Sequence, residues 1–252
     1  MTVEDPGALS SFYERAYSSA PGEAELYSRW RSLGAVGKAD HVTTLCARGG
    51  LAPRSVLDVG CGDGALLSEL FRRGFGGTLT GLELSGSAVA IARKRPEIAR
   101  VEQFDGAHVP AGTGDYELGI LSHVLEHVPD PAALLREVAR ACRAVVIEVP
   151  LEANVSARRA SKRAHADEIG HLRSLDRGKA RTIVAEAGLR VAGELEDPLP
   201  LEVHLFFARG SAQRARGYVK WSVRAALHGL APSLARRLFT VHYAALCVAP
   251  AA

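Results

Sequence analysis

The stretch Val56-Leu57-Asp58-Val59-Gly60-Cys61-Gly62-Asp63-Gly64-Ala65-Leu66-Leu67 decides the fold. An apolar run breaks on alternating glycines and resumes with helical spacing, which reads as strand, tight turn and helix. Every second turn residue lacks a Cβ, so the backbone can take positive φ values and a ligand can approach the main chain. The following helix offers unpaired N–H groups to a carboxylate or phosphate. Such an element seats a nucleotide-type cofactor.

From this turn the pattern extends regularly toward the C-terminus. It predicts strands at 55–59, 78–83, 99–104, 116–121 and 143–149, and helices at 64–73, 86–95, 131–141 and 176–187. Alternating strands and helices imply a parallel sheet with helices on both faces, binding ligands beyond the carboxyl ends of its strands. Asp58 and the glycine turn follow the first strand. Glu83 ends the second, about 20 residues beyond the turn, where an acidic side chain can accept both hydroxyls of a ribose. Asp105-Gly106 follow the third, where a carboxylate can accept from an adenine amine while the next N–H donates to the ring.

Gly60-x-Gly62-x-x-Ala65 also satisfies the dinucleotide fingerprint, so NAD and S-adenosylmethionine compete for the turn. Charge separates them. Asp58 and Asp63 flank the turn and would repel a pyrophosphate, whereas the ammonium and sulfonium of S-adenosylmethionine favour acidic neighbours.

At this point the chain resembles the class I S-adenosylmethionine-dependent methyltransferases, in particular small bacterial members related to ubiquinone-type and methyltransferase-11/23-type enzymes. The resemblance rests on Val56 to Gly64, Gly81-Leu82-Glu83-Leu84-Ser85, Asp105-Gly106 and Leu121-Ser122-His123-Val124-Leu125-Glu126-His127-Val128-Pro129-Asp130. It extends to Gly170-His171-Leu172-Arg173 and Ala187-Gly188-Leu189. It implies a Rossmann-like α/β fold with a seven-stranded, mostly parallel sheet whose last strand is antiparallel; the sixth and seventh strands then fall near 189–195 and 241–249. It implies S-adenosyl-L-methionine as cofactor, with Gly60, Cys61, Gly62 and Gly64 against its amino-acid half and Asp58 near its ammonium. Glu83 with Leu84 takes the ribose, Asp105 and Gly106 the adenine, and Ser122 and His123 border the methyl group.

A base is needed only where the acceptor is protonated. A histidine can serve a hydroxyl at neutral pH, and His123, His127, His165 and His171 are the candidates, with His123 and His171 assigned as catalytic. His123, Glu126 and His127 would share one face of a helical turn. Some family members with a Glu-x-x-Glu-His pattern bind a divalent ion there; here His123 replaces the first Glu, and no metal is assigned.

Residues 8–50 carry two or three helical patterns (Phe12, Tyr13, Tyr17; Leu26, Tyr27, Trp30, Leu33; Val42, Leu45, Cys46), interrupted at Pro21-Gly22 and Gly34 to Gly37. They are expected to cap the cofactor mouth, so that 1–50 forms a helical cap and 51–252 the core. The basic segment Pro150–Arg173 overhangs the acceptor pocket in this fold and could select an anionic small molecule. Residues 200–240 form a helical insertion with an apolar stripe at Ala215, Val219, Val223 and Leu230, beside Arg216, Lys220 and Arg224; Tyr218 and Trp221 are expected to roof the pocket.

The bulk composition narrows the rest. A net charge of +3 over 252 residues is too small to argue nucleic-acid binding. Four cysteines without a C-x-x-C pair suggest neither a zinc ribbon nor a disulfide framework and fit a reducing cytoplasm. Glu4 and Asp5 open the chain where a secretory signal would be basic, and no apolar run is long enough for a membrane span. The reading is a cytoplasmic enzyme methylating an oxygen of a small molecule in bacterial secondary metabolism. The alternatives are N-methylation, a tRNA or lipid-linked acceptor, and a non-catalytic partner subunit.

Overall fold

The computed structural model describes Glu14, Tyr17 and residues 21–250 apart from 113 and 169. Phe12 and Tyr13 lie outside the described residues, as does the His165 side chain.

The chain runs α1 (Pro21–Arg48), β1 (Ser55–Val59), α2 (Ala65–Arg72), β2 (Thr78–Glu83), α3 (Gly86–Ala92), β3 (Arg100–Gln103) and β4 (Tyr116–Ser122). It continues α4 (Pro131–Ala141), β5 (Cys142–Leu151), α5 (Ala160–Glu168), α6 (Arg177–Glu186), β6 (Arg190–Asp197), α7 (Leu201–Leu205), α8 (Ser211–Leu230), α9 (Pro232–Leu238) and β7 (Val241–Val248). The seven strands form one sheet in the order β3-β2-β1-β4-β5-β7-β6. β7 alone runs antiparallel to its neighbours, β5 and β6. Strand order reverses between β1 and β4, so their carboxyl ends open the crevice where this architecture binds ligands.

Each face of the sheet buries its own apolar layer. On β5, Val145, Ile147 and Val149 pack with Leu134, Leu135 and Val138 of α4 and Ile183 and Val184 of α6. Ala144 and Val146, pointing the other way, pack with Val42 and Leu45 of α1, Leu66 and Leu70 of α2 and Val89 of α3. The alternation follows the two-residue period of a strand, and burial on both faces explains why these strands read as continuous apolar runs.

Local signals set the helix starts. Ser85 Oγ accepts from the Ala88 N–H at 3.2 Å, Asp130 from Ala133 at 2.9 Å ahead of Pro131, and Asp176 from Lys179 at 2.8 Å. These are N-caps of the kind that short polar side chains provide.

The N-terminal region departs from expectation. Gly34 and Gly37 do not interrupt a helix: α1 is continuous over 28 residues. A mid-helix glycine costs about 1 kcal/mol relative to alanine. Ala35, Ala39, Val42 and Leu45, all buried, hold the helix against the sheet. A side chain at either glycine would meet no atom within 4 Å, and both border the central cavity. The glycines therefore leave room rather than turn the chain.

Candidate active site

The cofactor end of the cavity is built mainly from backbone. Gly60 and Cys61 donate to the Leu82 carbonyl at 2.8 and 3.0 Å, which pins the turn after β1 to the end of β2. Gly60, Gly62 and Gly64 have φ of 80°, 56° and 77°. A Cβ on Gly60 would lie 2.5 Å from Val124, and one on Gly62 2.5 Å from the Tyr17 hydroxyl. The turn thus needs glycine for both conformation and space. Glu83 is buried, and its two carboxylate oxygens accept from Gly62 at 2.8 Å and Ser85 at 2.9 Å. Asp58 lies beneath the turn; burial pushes its pKa up to about 7 although Lys38 pulls it down.

Asp63 requires a correction. The sequence places it with Asp58 as one of two carboxylates flanking the turn. Its Oδ2 sits 2.7 Å from Nε of Arg31 and its Oδ1 accepts from Ala65, while Arg95 donates to its carbonyl. The Arg31 guanidinium also covers the Tyr17 ring at 4.7 Å. Among the described residues Asp58 has no such ion pair with an arginine, and Arg31 and Lys38 bring positive charge to the same mouth.

Leu84, Asp105 and Gly106 line the neighbouring wall. Asp105 holds its own turn: Oδ1 accepts from Ala107 at 2.8 Å and His108 at 2.7 Å, and Oδ2 meets the His108 ring at 2.7 Å. These bonds lower its pKa to about 2.

At the opposite end the site is made of side chains. His123 follows β4 with φ of 58°, the only non-glycine at positive φ among the described residues. Strain of this kind concentrates at functional sites. Its N–H donates to the Glu148 carbonyl at 2.9 Å, and Ser122 Oγ donates to Glu148 Oε2 at 3.0 Å. The other oxygen, Glu148 Oε1, faces His41 Nδ1 at 3.2 Å, His242 Nδ1 at 3.3 Å and His123 Nε2 at 3.5 Å. His41 Nε2 meets Asp197 at 3.1 Å, and His123 Nδ1 meets Glu126 at 3.2 Å. Burial opposes the charge on His41, yet Asp197 and Glu148 push its pKa up to about 10. Burial would also protonate Glu148, but the three imidazoles hold it well below the usual carboxylate range.

His171 lies elsewhere. Its Nδ1 meets Glu152 at 2.7 Å, its ring packs edge-on against His127 at 4.7 Å, and it is not part of the cavity wall. His127 borders the cavity with one ring nitrogen 3.1 Å from the Gly170 carbonyl. The basic residues Arg158, Arg159, Lys162 and Arg163 do not line the cavity, and Arg173 donates to the carbonyls of Leu125, Val128 and Pro129. Tyr218 and Trp221 do not roof it either: Tyr218 and the stripe at Val219, Val223 and Leu230 face solvent. Trp30, Leu199, Pro200 and Val203 close the cavity there.

His41, Asp197 and His242 escape sequence reasoning because α1, β6 and β7 are far apart in the chain and no spacing links them. Glu148 left a signal: an acid inside the apolar run Val145-Val146-Ile147-Glu148-Val149, where a buried charge needs partners.

One cavity of about 850 Å³ joins both ends. The glycine cradle, which Cβ atoms would fill, and the buried acids Asp58 and Glu83 fit an elongated cofactor with a cationic amino-acid end and a ribose.

The comparisons agree with this geometry. Residues 30–193 match the family model of the methyltransferase domain. A ubiquinone biosynthesis O-methyltransferase of Sodalis glossinidius (strain morsitans) is 38% identical over 97 residues, 36% of this chain and 38% of that protein. One from Acinetobacter baumannii (strain ACICU) is 33% identical over 104 residues, 39% and 41% of the two chains. The matched part thus spans about two-fifths of the length of these relatives. Among solved structures, magnesium protoporphyrin IX methyltransferase from Synechocystis PCC 6803 with bound SAH shares the fold with a TM-score of 0.58 at 16% identity, over 98% of this chain and 100% of that one. With the domain model covering more than half of its length on this seven-stranded sheet, the chain belongs to the class I S-adenosylmethionine-dependent methyltransferases.

Proposed function

We propose that this protein moves a methyl group from S-adenosylmethionine to an oxygen of a small-molecule acceptor. The observation that carries this reading is the cavity running from the glycine turn to His41, His123 and His242, with the buried Glu148 behind them. The cofactor supplies an electrophilic methyl group and a neutral thioether leaving group. The chain's own residues bind, align and manage a proton. Asp58 takes the ammonium end, Arg31 and Lys38 lie close enough to the turn to meet the carboxylate, and Glu83 fixes the turn while presenting remaining lone pairs to the ribose. Ser122 and His123 border the transferred group, and α1 caps the mouth.

In-line displacement gains most from alignment, and the walls formed by Trp30, Leu199, Pro200 and Val203 hold the acceptor. An acceptor hydroxyl must lose its proton, and His123, between Glu126 and Glu148, is the group at the right end of the cavity to take it. Oxygen as the acceptor atom is further supported by relatives named as O-methyltransferases. His171, held by Glu152 outside the cavity, supports His127 rather than touching the acceptor. The four cysteines are free and buried, which fits the cytoplasm, and no described helix is long and apolar enough to cross a membrane.

Calorimetry with S-adenosylmethionine and S-adenosylhomocysteine, followed by release of the latter against phenolic, hydroxyl and amine acceptors, tests the proposal. Saturable binding with turnover on hydroxyl acceptors is expected. Failure to bind either cofactor form, or turnover on amines alone, overturns it.

A further inference from the structure

We propose that His123, Glu148 and His242 hold one divalent transition-metal ion of the zinc class at the acceptor end of the cavity, with a fourth position open to the acceptor. Glu148 Oε1 lies 3.3 Å from His242 Nδ1 and 3.5 Å from His123 Nε2. Ligand atoms about 2.0–2.1 Å from a tetrahedral ion stand roughly 3.3–3.4 Å apart, which is the separation these contacts bracket. The ligating atoms of His123, Glu148 and His242 also all lie within 4.8 Å of one another.

The directions of these groups point the same way. Glu148 is 1% exposed, yet its Oε1 and His123 Nε2 have no hydrogen-bond partner of acceptable geometry. Close but misaligned donors and acceptors are costly in a protein interior unless something lies between them. An ion between them and His242 satisfies both at once.

The surrounding contacts have the form that orients metal ligands. His123 faces Glu126 with its second nitrogen at 3.2 Å, while Ser122 holds the far oxygen of Glu148. Carboxylates behind ligating imidazoles fix their tautomer and raise their basicity. The positive φ of His123 turns its ring back toward β5 and β7. The chemistry is imidazole and carboxylate, which suits zinc, manganese, iron or cobalt better than calcium. The site differs from the neighbouring group of Glu126, His127 and His171, whose own ligating atoms also cluster but of which His171 stands outside the cavity.

This inference deepens the methyltransferase reading, since an ion held by three protein ligands would keep a position open for the acceptor oxygen and lower its pKa, so that the hydroxyl proton passes to solvent water and His123 serves as a ligand in place of a base. Metal binding itself does not depend on that reading. The full chain, stripped by a chelator, is titrated with Co²⁺ and Zn²⁺ and read by visible absorption, metal analysis and calorimetry. One ion per chain with the intense spectrum of tetrahedral cobalt is expected. Glu148→Gln and His242→Ala should weaken binding by about 100-fold or more and Glu126→Gln by ~10–100-fold, while His171→Ala leaves it unchanged. Circular dichroism checks folding; if Glu148→Gln does not fold, His242→Gln decides.

No binding at sub-millimolar metal, or loss in His171→Ala with retention in His242→Ala, overturns the site. S-adenosylhomocysteine titrated into the stripped protein separates the two claims. Intact binding without an ion rejects the metal alone, and a bound ion without S-adenosylhomocysteine affinity rejects the methyltransferase reading alone.

Discussion

The two ends of the cavity are built in opposite ways. The cofactor end comes from short segments, 58–64, 83–85 and 105–106, and works largely through backbone conformation. The acceptor end gathers side chains from α1, β4, β5, β6 and β7, with no two ligands of Glu148 Oε1 near in sequence. A backbone site tolerates most side-chain changes and fails wherever a Cβ appears. A side-chain site fails one residue at a time, and it can vary among relatives without disturbing the fold.

The largest expected effect tests the backbone end. Gly60→Val places a branched side chain into Val124 at positive φ. Strain and overpacking of about 1–3 kcal/mol each should lower the melting temperature and remove measurable cofactor binding. Normal S-adenosylmethionine affinity in calorimetry would show that the turn is not the cofactor seat. Next, His123→Ala should leave cofactor affinity nearly intact while turnover falls by ~10²-fold or more. Equal losses in both would erase the division between the ends.

A smaller effect follows from Asp58, whose pKa is raised to about 7 by burial. A raised carboxylate pKa means that the folded, cofactor-free protein holds a proton that the unfolded chain releases. Stability from this group is therefore present at low pH and is lost as pH rises toward 7. Cofactor binding has the opposite sign: an ammonium ligand favours the carboxylate and expels the proton. Affinity should then rise with pH by up to ~10-fold per unit below pH 7 and level off above. Asp58→Asn should flatten that slope; a persisting slope in S-adenosylhomocysteine titrations would assign it to another group. The smallest effect is expected remote from both ends, where Val219→Ser on exposed α8 should change stability by no more than about 0.5 kcal/mol.

What the sequence made legible follows the same division. β1, β2 and α4 have the expected bounds, because apolar runs between turn residues and an Asp-Pro start are local signals. α3 ends at Ala92, short of the expected 95, as Arg93 leads into the turn before Pro96. Gly34 and Gly37 misled because their propensity cost is smaller than the gain from burying the face of α1, at about 1.5–3 kcal/mol per buried Val or Leu. The stripe on α8 has helical spacing, yet spacing alone does not say which face meets the protein, and here much of it meets solvent. Asp58, Glu83 and the glycines could be placed because strand ends are local. His41 and His242 could not, since only the sheet order brings α1 and β7 beside Glu148.

The unbroken α1 has a consequence beyond its packing. Arg31, Lys38 and His41 all border the cavity, and they sit on one rigid rod at steps of seven and three residues, about 15 Å from first to last. The first clasps Asp63 beside the glycine turn and the last stands against Glu148. The helix is thus a ruler that sets the distance between the two halves of the reaction. One residue inserted between Arg31 and His41 would rotate the far mark by about 100° and put both marks out of register at once.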